Sequence, residues 1–516
     1  MARWFNVAGP CRSALHYMLP ATERLPDVMR LIQQQNYFVL HAPRQSGKTT
    51  AMLSLAQTLT ASGQYAAALL SVEVGAPFSD DPERAELAIL DSWRGASSWQ
   101  LPTVLQPPPW PVAETGNRLG AALRAWAMAS PQPLVLFLDE IDALQNHLLL
   151  SVLRQLRDGY PGRPHAFPAS LALIGLRDVR DYQVASGGSE RLTTASPFNI
   201  KVESLTLRNF RAEEVAALYA QHTADTGQQF TPAALTRAFT LTQGQPWLVN
   251  ALARQAVEVI APDPTQPIDV AVIDAARDRL IQRQDTHLDS LAERLREPRV
   301  RAVIEPLLAG LVPAELPADD LQFVQDLGLV RMDPQAGLVI ANPIYAAVIP
   351  RMLTATTRAF LPMITPIWRT PEGRLDPARL LEAFLAFWRR HGQPLLGTTA
   401  YHEIAPHLVL LAFLDRVANG GGRVERESAV GRGRLDLRLE YGELVLPMEV
   451  KVWRDGEGDP KGEGLAQLER YLQGVGVTTG WLLIFDQRRG DTPIAERTRA
   501  EVATTPGGYQ VTLIRA

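Results

Sequence analysis

A single cysteine, Cys11, stands in 516 residues. One thiol cannot close an intramolecular disulfide, so the fold must be held by its core, and a reducing compartment is the simplest setting. An excess of one charge sign is missing too: 51 Lys and Arg against 55 Asp and Glu leave a formal net charge of −4. No global basic field draws the chain onto nucleic acid, so any such binding has to be local. Long apolar runs are also absent. Stretches such as Leu134–Leu138 and Leu408–Leu414 fall far short of the ~20 residues a membrane-spanning helix needs. The opening Met-Ala-Arg-Trp-Phe-Asn lacks a secretory pattern. These absences predict a cytoplasmic protein with no membrane partner.

What is present is a globular composition, 46% hydrophobic and 21% charged, in a chain long enough for three or four domains. Neither internal repeats nor low-complexity tracts occur. The most informative stretch is Ala42-Pro43-Arg44-Gln45-Ser46-Gly47-Lys48-Thr49. It follows the apolar run Tyr37–Leu40 and precedes a helix-compatible run from Thr50 to Leu59. Strand, loop and helix in that order are the context of a phosphate-binding loop. Successive backbone N–H groups wrap a phosphate there, and the positive end of the new helix faces it. Lys48 is expected to reach the β- and γ-phosphates of ATP, and the Thr49 hydroxyl to sit on Mg²⁺. The first glycine of the pattern is replaced by Ala42, the smallest substitute.

Apolar runs at Tyr37–His41, Ala67–Val74, Leu134–Leu138 and Leu171–Leu176, separated by helical stretches, predict a parallel sheet covered on both faces. Ile200–Leu207 reads as an edge strand or as the exit from the sheet. From Arg211 the pattern turns helical, with a stop at Gly227, a Thr231-Pro232 start and a break over Thr242–Gln245. Helical character continues over Ile268–Leu308, and Ala318–Leu327 precedes a small hairpin that resembles a winged helix.

Leu134–Leu138 ends in Asp139-Glu140. Open α/β sheets bind ligands at such strand tips. Asp139 would hold Mg²⁺ through water, and Glu140 would act as general base on the attacking water. This pair, together with the upstream loop, resembles the additional-strand P-loop ATPases, the group that includes AAA+ and STAND proteins. The resemblance spans residues 30–350. It implies ATP and Mg²⁺ as cofactors, with Ala42 to Thr50 cradling the nucleotide. Arg177, after Leu171–Leu176, looks like the sensor-1 position of that group, although pairing with Asp178 fits it equally. Gly244-Gln245-Pro246 resembles the Gly-x-Pro element whose proline side packs near adenine, or else is a simple helix breaker. Homo-oligomerisation is common in such proteins and is an open expectation here. Leu321–Leu329 carries no basic residue, which favours packing over DNA binding for the winged-helix-like piece.

Beyond Thr365–Pro371, read as a linker, a helix from the Asp376 cap to His391 and another over Tyr401–Asn419 precede a strand-rich segment. In Gly433–Leu439, leucines alternate with Arg434, Asp436 and Arg438. The following strand carries Glu449-Val450-Lys451, whose charged pair shares one side at a period of two. Asp436 and Glu449 can converge on one Mg²⁺, with Lys451 placing a hydroxide or steadying a phosphate. The order helix, three strands, helix, strand resembles the PD-(D/E)XK nuclease superfamily. By that likeness Asp436 and Glu449 are the metal acids, Lys451 the catalytic lysine, Glu403 a helix-borne acid, and Gln467 the glutamine of the following helix. A salt-bridged strand pair, or a related domain that binds without cutting, accounts for the same residues. Arg423, Arg426, Arg432, Arg434 and Arg438 either contact phosphates or pair with Glu425, Glu427 and Glu440.

The predicted class is therefore α/β: an additional-strand P-loop core over 1–208, a helical lid over 209–265, a helical and winged-helix part over 266–355, a linker over 356–372 and a nuclease-like domain over 373–516. The expected function is an ATP-hydrolysing switch that controls a Mg²⁺-dependent nuclease acting on nucleic acid, DNA in the first instance. The rival is a nucleotide-switched signalling or scaffold protein with a non-cleaving C-terminal domain. For a DNA-moving motor, no helicase motif is found beyond the two ATP-site elements.

Overall fold

The computed structural model describes residues 3–176, 200–283, 291, 294–308, 316–353, 366–398, 405–418, 422–427, 436–488 and 493–516. The chain divides into two compact units. The first comprises Met1–Gln282 with Gln325–Gly328; the second comprises Arg283–Val324 and Leu329–Ala516.

In the first unit the apolar runs form β1 (Tyr37–His41), β2 (Ala66–Ser71), β3 (Leu134–Asp139), β4 (Ser170–Gly175) and β5 (Lys201–Thr206). All pair in parallel, in the order β2-β3-β4-β1-β5. Strand β4 thus separates the loop strand β1 from the acidic strand β3, the additional-strand order anticipated above. Alternating side chains divide between two cores. Val39, Leu70, Leu136 and Leu173 face α3 (Pro82–Gln100), α4 (Arg118–Ala129) and α5 (Asn146–Gly159). Phe38, Leu40, Phe137 and Ile174 face α1 (Val28–Gln33) and α2 (Lys48–Ala61). Burial on both faces explains why these strands read as continuous apolar runs. Strand β5 lies at the edge, and its outward residues are correspondingly half-exposed.

Three helices follow: α6 (Ala212–Thr226), α7 (Pro232–Thr242) and α8 (Pro246–Gln255). Gly227 ends α6 in the left-handed conformation at φ 82°. The Thr231 side chain accepts from the Ala234 N–H to start α7, with Pro232 at the first turn. Gly244 joins α7 to α8 at φ 70°, and its carbonyl accepts from the Phe210 N–H at 2.8 Å. A π-helical turn, Ala256–Ile260, extends α8 and was not foreseen.

The second unit contains a hairpin, β6 (Val330–Asp333) and β7 (Gly337–Ile340), after a helix over Ala318–Asp326. It also contains a six-stranded sheet of β8 (Gly422–Glu427), β9 (Asp436–Tyr441), β10 (Leu444–Trp453), β11 (Trp481–Asp486), β12 (Arg499–Thr504) and β13 (Gln510–Arg515). Its order is β12-β13-β11-β10-β9-β8, with antiparallel β8-β9-β10 and parallel β10-β11-β13. One face packs Leu439, Met448, Val450 and Phe485 against the helices Pro377–Thr398 and Ala405–Ala418. The opposite face packs Leu482, Ile484 and Leu513 against Leu465, Leu468 and Leu472 of the helix Lys461–Val475. Trp368, within the stretch read as a linker, is buried against Phe413 in the first of these cores.

A Cβ added at Gly244 would stand 1.9 Å from the Phe210 carbonyl oxygen, a backbone atom that cannot rotate away. Gly244→Ala combines that clash with a left-handed φ that disfavours alanine. It is expected to lower stability by about 2 kcal/mol or more, seen as a drop in melting temperature by calorimetry.

Candidate functional site

The loop between β1 and α2 is shaped by two left-handed residues, Gln45 at φ 56° and Gly47 at φ 87°, the latter capping α2. Ala42 has no positive φ, and its methyl is fully buried in the core beneath the loop. Its N–H donates to the Gly175 carbonyl at 3.3 Å. Alanine at the first position of the motif is therefore a packed residue of the sheet and leaves the turn to Gln45 and Gly47. Pro43 is half-buried and Arg44 is exposed.

Lys48 is buried, and its ammonium donates to the carbonyls of Ala42 at 2.7 Å and Pro43 at 3.0 Å. Burial holds its pKa below the ordinary lysine value, while Glu140, Asp139 and Asp142 act in the opposite sense. The Thr49 hydroxyl donates to Asp139 Oδ2 at 2.8 Å. The Glu140 N–H donates to Asp139 Oδ1 at 3.0 Å, and Glu140 itself is left-handed at φ 56°. Burial raises the pKa of Asp139, against the opposing bonds from Thr49 and Glu140 and the charge of Lys48. Burial also raises that of Glu140, reinforced by Asp139 and Asp142. Among the described residues the buried Ser46 hydroxyl has no hydrogen-bond partner. A buried cation, a hydroxyl and two acids with raised pKa values thus meet at the C-terminal edge of the sheet. The hydroxyl and carboxylate oxygens of Thr49 and Asp139 are hard donors of the kind Mg²⁺ selects, and they already lie within hydrogen-bonding distance of each other.

Beside the loop is a cavity of about 160 Å³, far above the ~10–15 Å³ that one water requires. It is lined by Gly47, Thr50 and Ser54, by Pro246, Trp247 and Asn250, and by residues of the segment Asn6–Cys11. That segment is pinned at both ends: Trp247 Nε1–H donates to the Val7 carbonyl at 2.9 Å, and the Cys11 N–H donates to the Thr50 hydroxyl at 3.0 Å. Pro246 occupies the first turn of α8 and is buried at the cavity. This N-terminal part of the lining was missed from the sequence, where only the Gly9-Pro10 turn signal marks it.

Arg177 and Glu403 lie outside the described residues, as do Arg432 and Arg434. In the second unit β9 and β10 pair in antiparallel fashion down to Leu437 opposite Met448. Asp436 is the first residue of β9, at the end of the pair where Glu449 follows Met448; nothing is described of its side chain. Glu449 is 2% exposed, and Lys451 Nζ lies 3.3 Å from its Oε1. The helix Lys461–Val475 closes over them. Lys451 donates to Gln467 Oε1 at 2.5 Å and to Glu463 Oε1 at 3.2 Å, and Gln467 Nε2 donates to Glu463 Oε1 at 2.6 Å. Glu463 was not singled out in the sequence. Arg423 and Arg438 both pair with Glu440, each at 2.6 Å, as the acid-pairing alternative anticipated. Among the described residues no group of three or more His, Cys, Asp or Glu side chains forms a metal cluster.

No protein-family profile matches the chain, and no curated protein does. Similar solved structures include a Walker-type ATPase of Pyrococcus abyssi, at 13% identity and TM-score 0.45, covering 67% of this chain and 99% of that one. The RuvB Holliday junction branch migration motor of Thermotoga maritima follows at 13% identity and TM-score 0.35, covering 62% and 90%. Cdc6p from Pyrobaculum aerophilum is similar at 12% identity and TM-score 0.36, covering 67% and 97%. Likenesses this distant carry no argument; the strand order and the loop geometry stand by themselves. No helix among the described residues is long and apolar enough to cross a membrane.

Because Ala42 is packed core, Ala42→Gly is expected to keep nucleotide affinity within about twofold while lowering stability by about 1 kcal/mol through the lost methyl and the added chain entropy. Titration with a fluorescent ADP analogue and thermal melts of the same preparations measure both.

Proposed function

We propose that this chain is an ATP-binding and ATP-hydrolysing switch protein, and that its C-terminal unit carries a Mg²⁺-dependent nuclease site acting on nucleic acid. The observation that carries the first half is the meeting of Lys48, Thr49, Asp139 and Glu140 at one edge of the parallel sheet, beside a cavity. Lys48 would exchange its two carbonyl partners for phosphate oxygens. The loop N–H groups and the start of α2 orient the phosphate chain. Mg²⁺ bound by Thr49 and Asp139 would offset phosphate charge. Glu140 would accept a proton from the attacking water, a task its raised pKa suits. Pro246 and Trp247 would border the base.

For the second unit, the support is a buried Glu449 beside Lys451 on β10, with Asp436 opening the adjacent strand and Gln467 orienting the ammonium. Glu449 supplies a buried oxygen donor of the type Mg²⁺ takes, and Lys451 would hold a hydroxide or phosphate oxygen. The proposed division is a core over 1–208, a lid over 209–265, a helical and winged-helix part over 266–355, a linker over 356–372 and a nuclease-like domain over 373–516. A second reading has a specific observation behind it. Lys451 already engages Glu449, Gln467 and Glu463, and an ammonium so fully occupied also suits a domain that binds without cutting.

Glu140→Gln is expected to retain ATP binding and lose at least about 100-fold in hydrolysis, the scale of a lost general base. Release of phosphate and equilibrium binding measured side by side check this, and unchanged turnover would remove Glu140 from its role. For the second unit, DNA and RNA substrates are incubated with Mg²⁺ under ATP, ADP and nucleotide-free conditions. Cleavage by the wild type that Lys451→Ala abolishes supports a nuclease, and equal inactivity of both in every condition supports the non-cleaving reading.

A further inference from the structure

Arg24 ends a short 3-10 helix just before α1, and its guanidinium is buried. It stacks 4.7 Å from the Phe210 ring centroid. Nε and Nη2 donate to the Arg208 carbonyl, and Nη2 also donates to the Ser46 carbonyl of the phosphate loop at 2.9 Å. Arg208 begins the passage to the lid, and the Phe210 N–H holds the Gly244 carbonyl at 2.8 Å. One side chain therefore ties the loop to the turn that sets the lid.

The bonds of that guanidinium to described residues fall on one side of it. Every described acceptor of Arg24 is a neutral carbonyl, and all of them serve Nε and Nη2. Among the described residues no carboxylate stands within ion-pair distance of it. Glu214, the acid that acts on it through space, is itself engaged in two bonds from Arg208, at 2.6 and 2.7 Å. Nη1 lies beside Gly47, 3.5 Å from where a Cβ would stand, and Arg24 lines the cavity next to the loop. Burial of this poorly compensated cation pushes its pKa down to about 10. A buried charge is costly unless an opposite charge or full hydrogen bonding offsets it. An anion on the cavity side would offset that charge.

We propose that Arg24 binds a phosphate of the nucleotide through Nη1 and transmits its presence to the lid through the Arg208 carbonyl and Phe210. The inference rests on the nucleotide-site reading above and extends it: the chain's phosphate contacts would include a cation from outside both the loop and the β3 tip. An anion accepted at Nη1 supplies an opposite charge and fixes the guanidinium plane, which in turn fixes its two carbonyl partners. The loop and the lid then stiffen together when nucleotide binds.

The full chain is titrated with ADP and with adenosine by calorimetry, for the wild type, Arg24→Met and Arg24→Lys, with apo melting temperatures recorded in parallel. A phosphate contact predicts that Arg24→Met weakens ADP binding by roughly tenfold or more and leaves adenosine within about twofold, with Arg24→Lys between the two for ADP. A purely structural brace would weaken both ligands in the same ratio, and that result, or unchanged ADP affinity in Arg24→Met, would overturn the proposal. If Arg24→Met does not fold, Arg24→Lys decides by the same ADP-to-adenosine ratio. Failure of the wild type to bind ADP would overturn the nucleotide-site reading itself and this inference with it; the other contrary results overturn only the role of Arg24.

Discussion

A single hydrogen bond, from the Thr49 hydroxyl to the Asp139 carboxylate at 2.8 Å, joins residues 90 positions apart and organises the first unit. It forms only if β1 and β3 run in parallel, end level with each other and leave room for β4 between them. That register depends on two apolar cores that bury alternate side chains of each strand. With the strand tips aligned, the loop before Thr49 brings Lys48 against its own carbonyls, and the turn after Asp139 forces Glu140 into a left-handed conformation. The charges of the site are thus imposed by the sheet, and their pKa values move in the directions that burial requires.

The same logic of opposite faces governs the second unit. Even-numbered positions of β10, Met448 and Val450, enter one core, so Glu449 and Lys451 must lie on the other face under the helix Lys461–Val475. The ammonium reaches Gln467 and Glu463 there because positions four apart on that helix share a face. A cluster of polar groups in such a position is stable only when its members satisfy one another, and these do.

Much of this was legible in the residues, for reasons that can be named. Fully buried parallel strands have no polar side to break their apolar runs, so β1 to β4 stood out. Gly227, Thr231-Pro232 and Asp376 marked helix ends because backbone groups there demand those side chains or conformations. The edge strand β12 was illegible: Arg-Ala-Glu-Val-Ala-Thr is mostly exposed, with Val502 turned outward, and carries no apolar alternation. The cavity lining at Asn6–Cys11 and the bonds of Arg24 to the Arg208 and Ser46 carbonyls were illegible for a different reason. Both act through backbone carbonyls and N–H groups distant in the chain, and such contacts leave no pattern in side-chain identity. The substitution of Ala42 for glycine, read as a departure from the motif, proved to be a matter of packing, since that position needs no unusual φ.

The central claim is that the edge of the first sheet binds and hydrolyses ATP through the buried ammonium of Lys48. The most direct measurement is steady-state phosphate release by Lys48→Ala beside the wild type, at saturating ATP and Mg²⁺. The account predicts hydrolysis by the wild type and a loss of at least about 100-fold in the variant, the scale of removing one group that stabilises charge in the transition state. Equal turnover by the two proteins would contradict it.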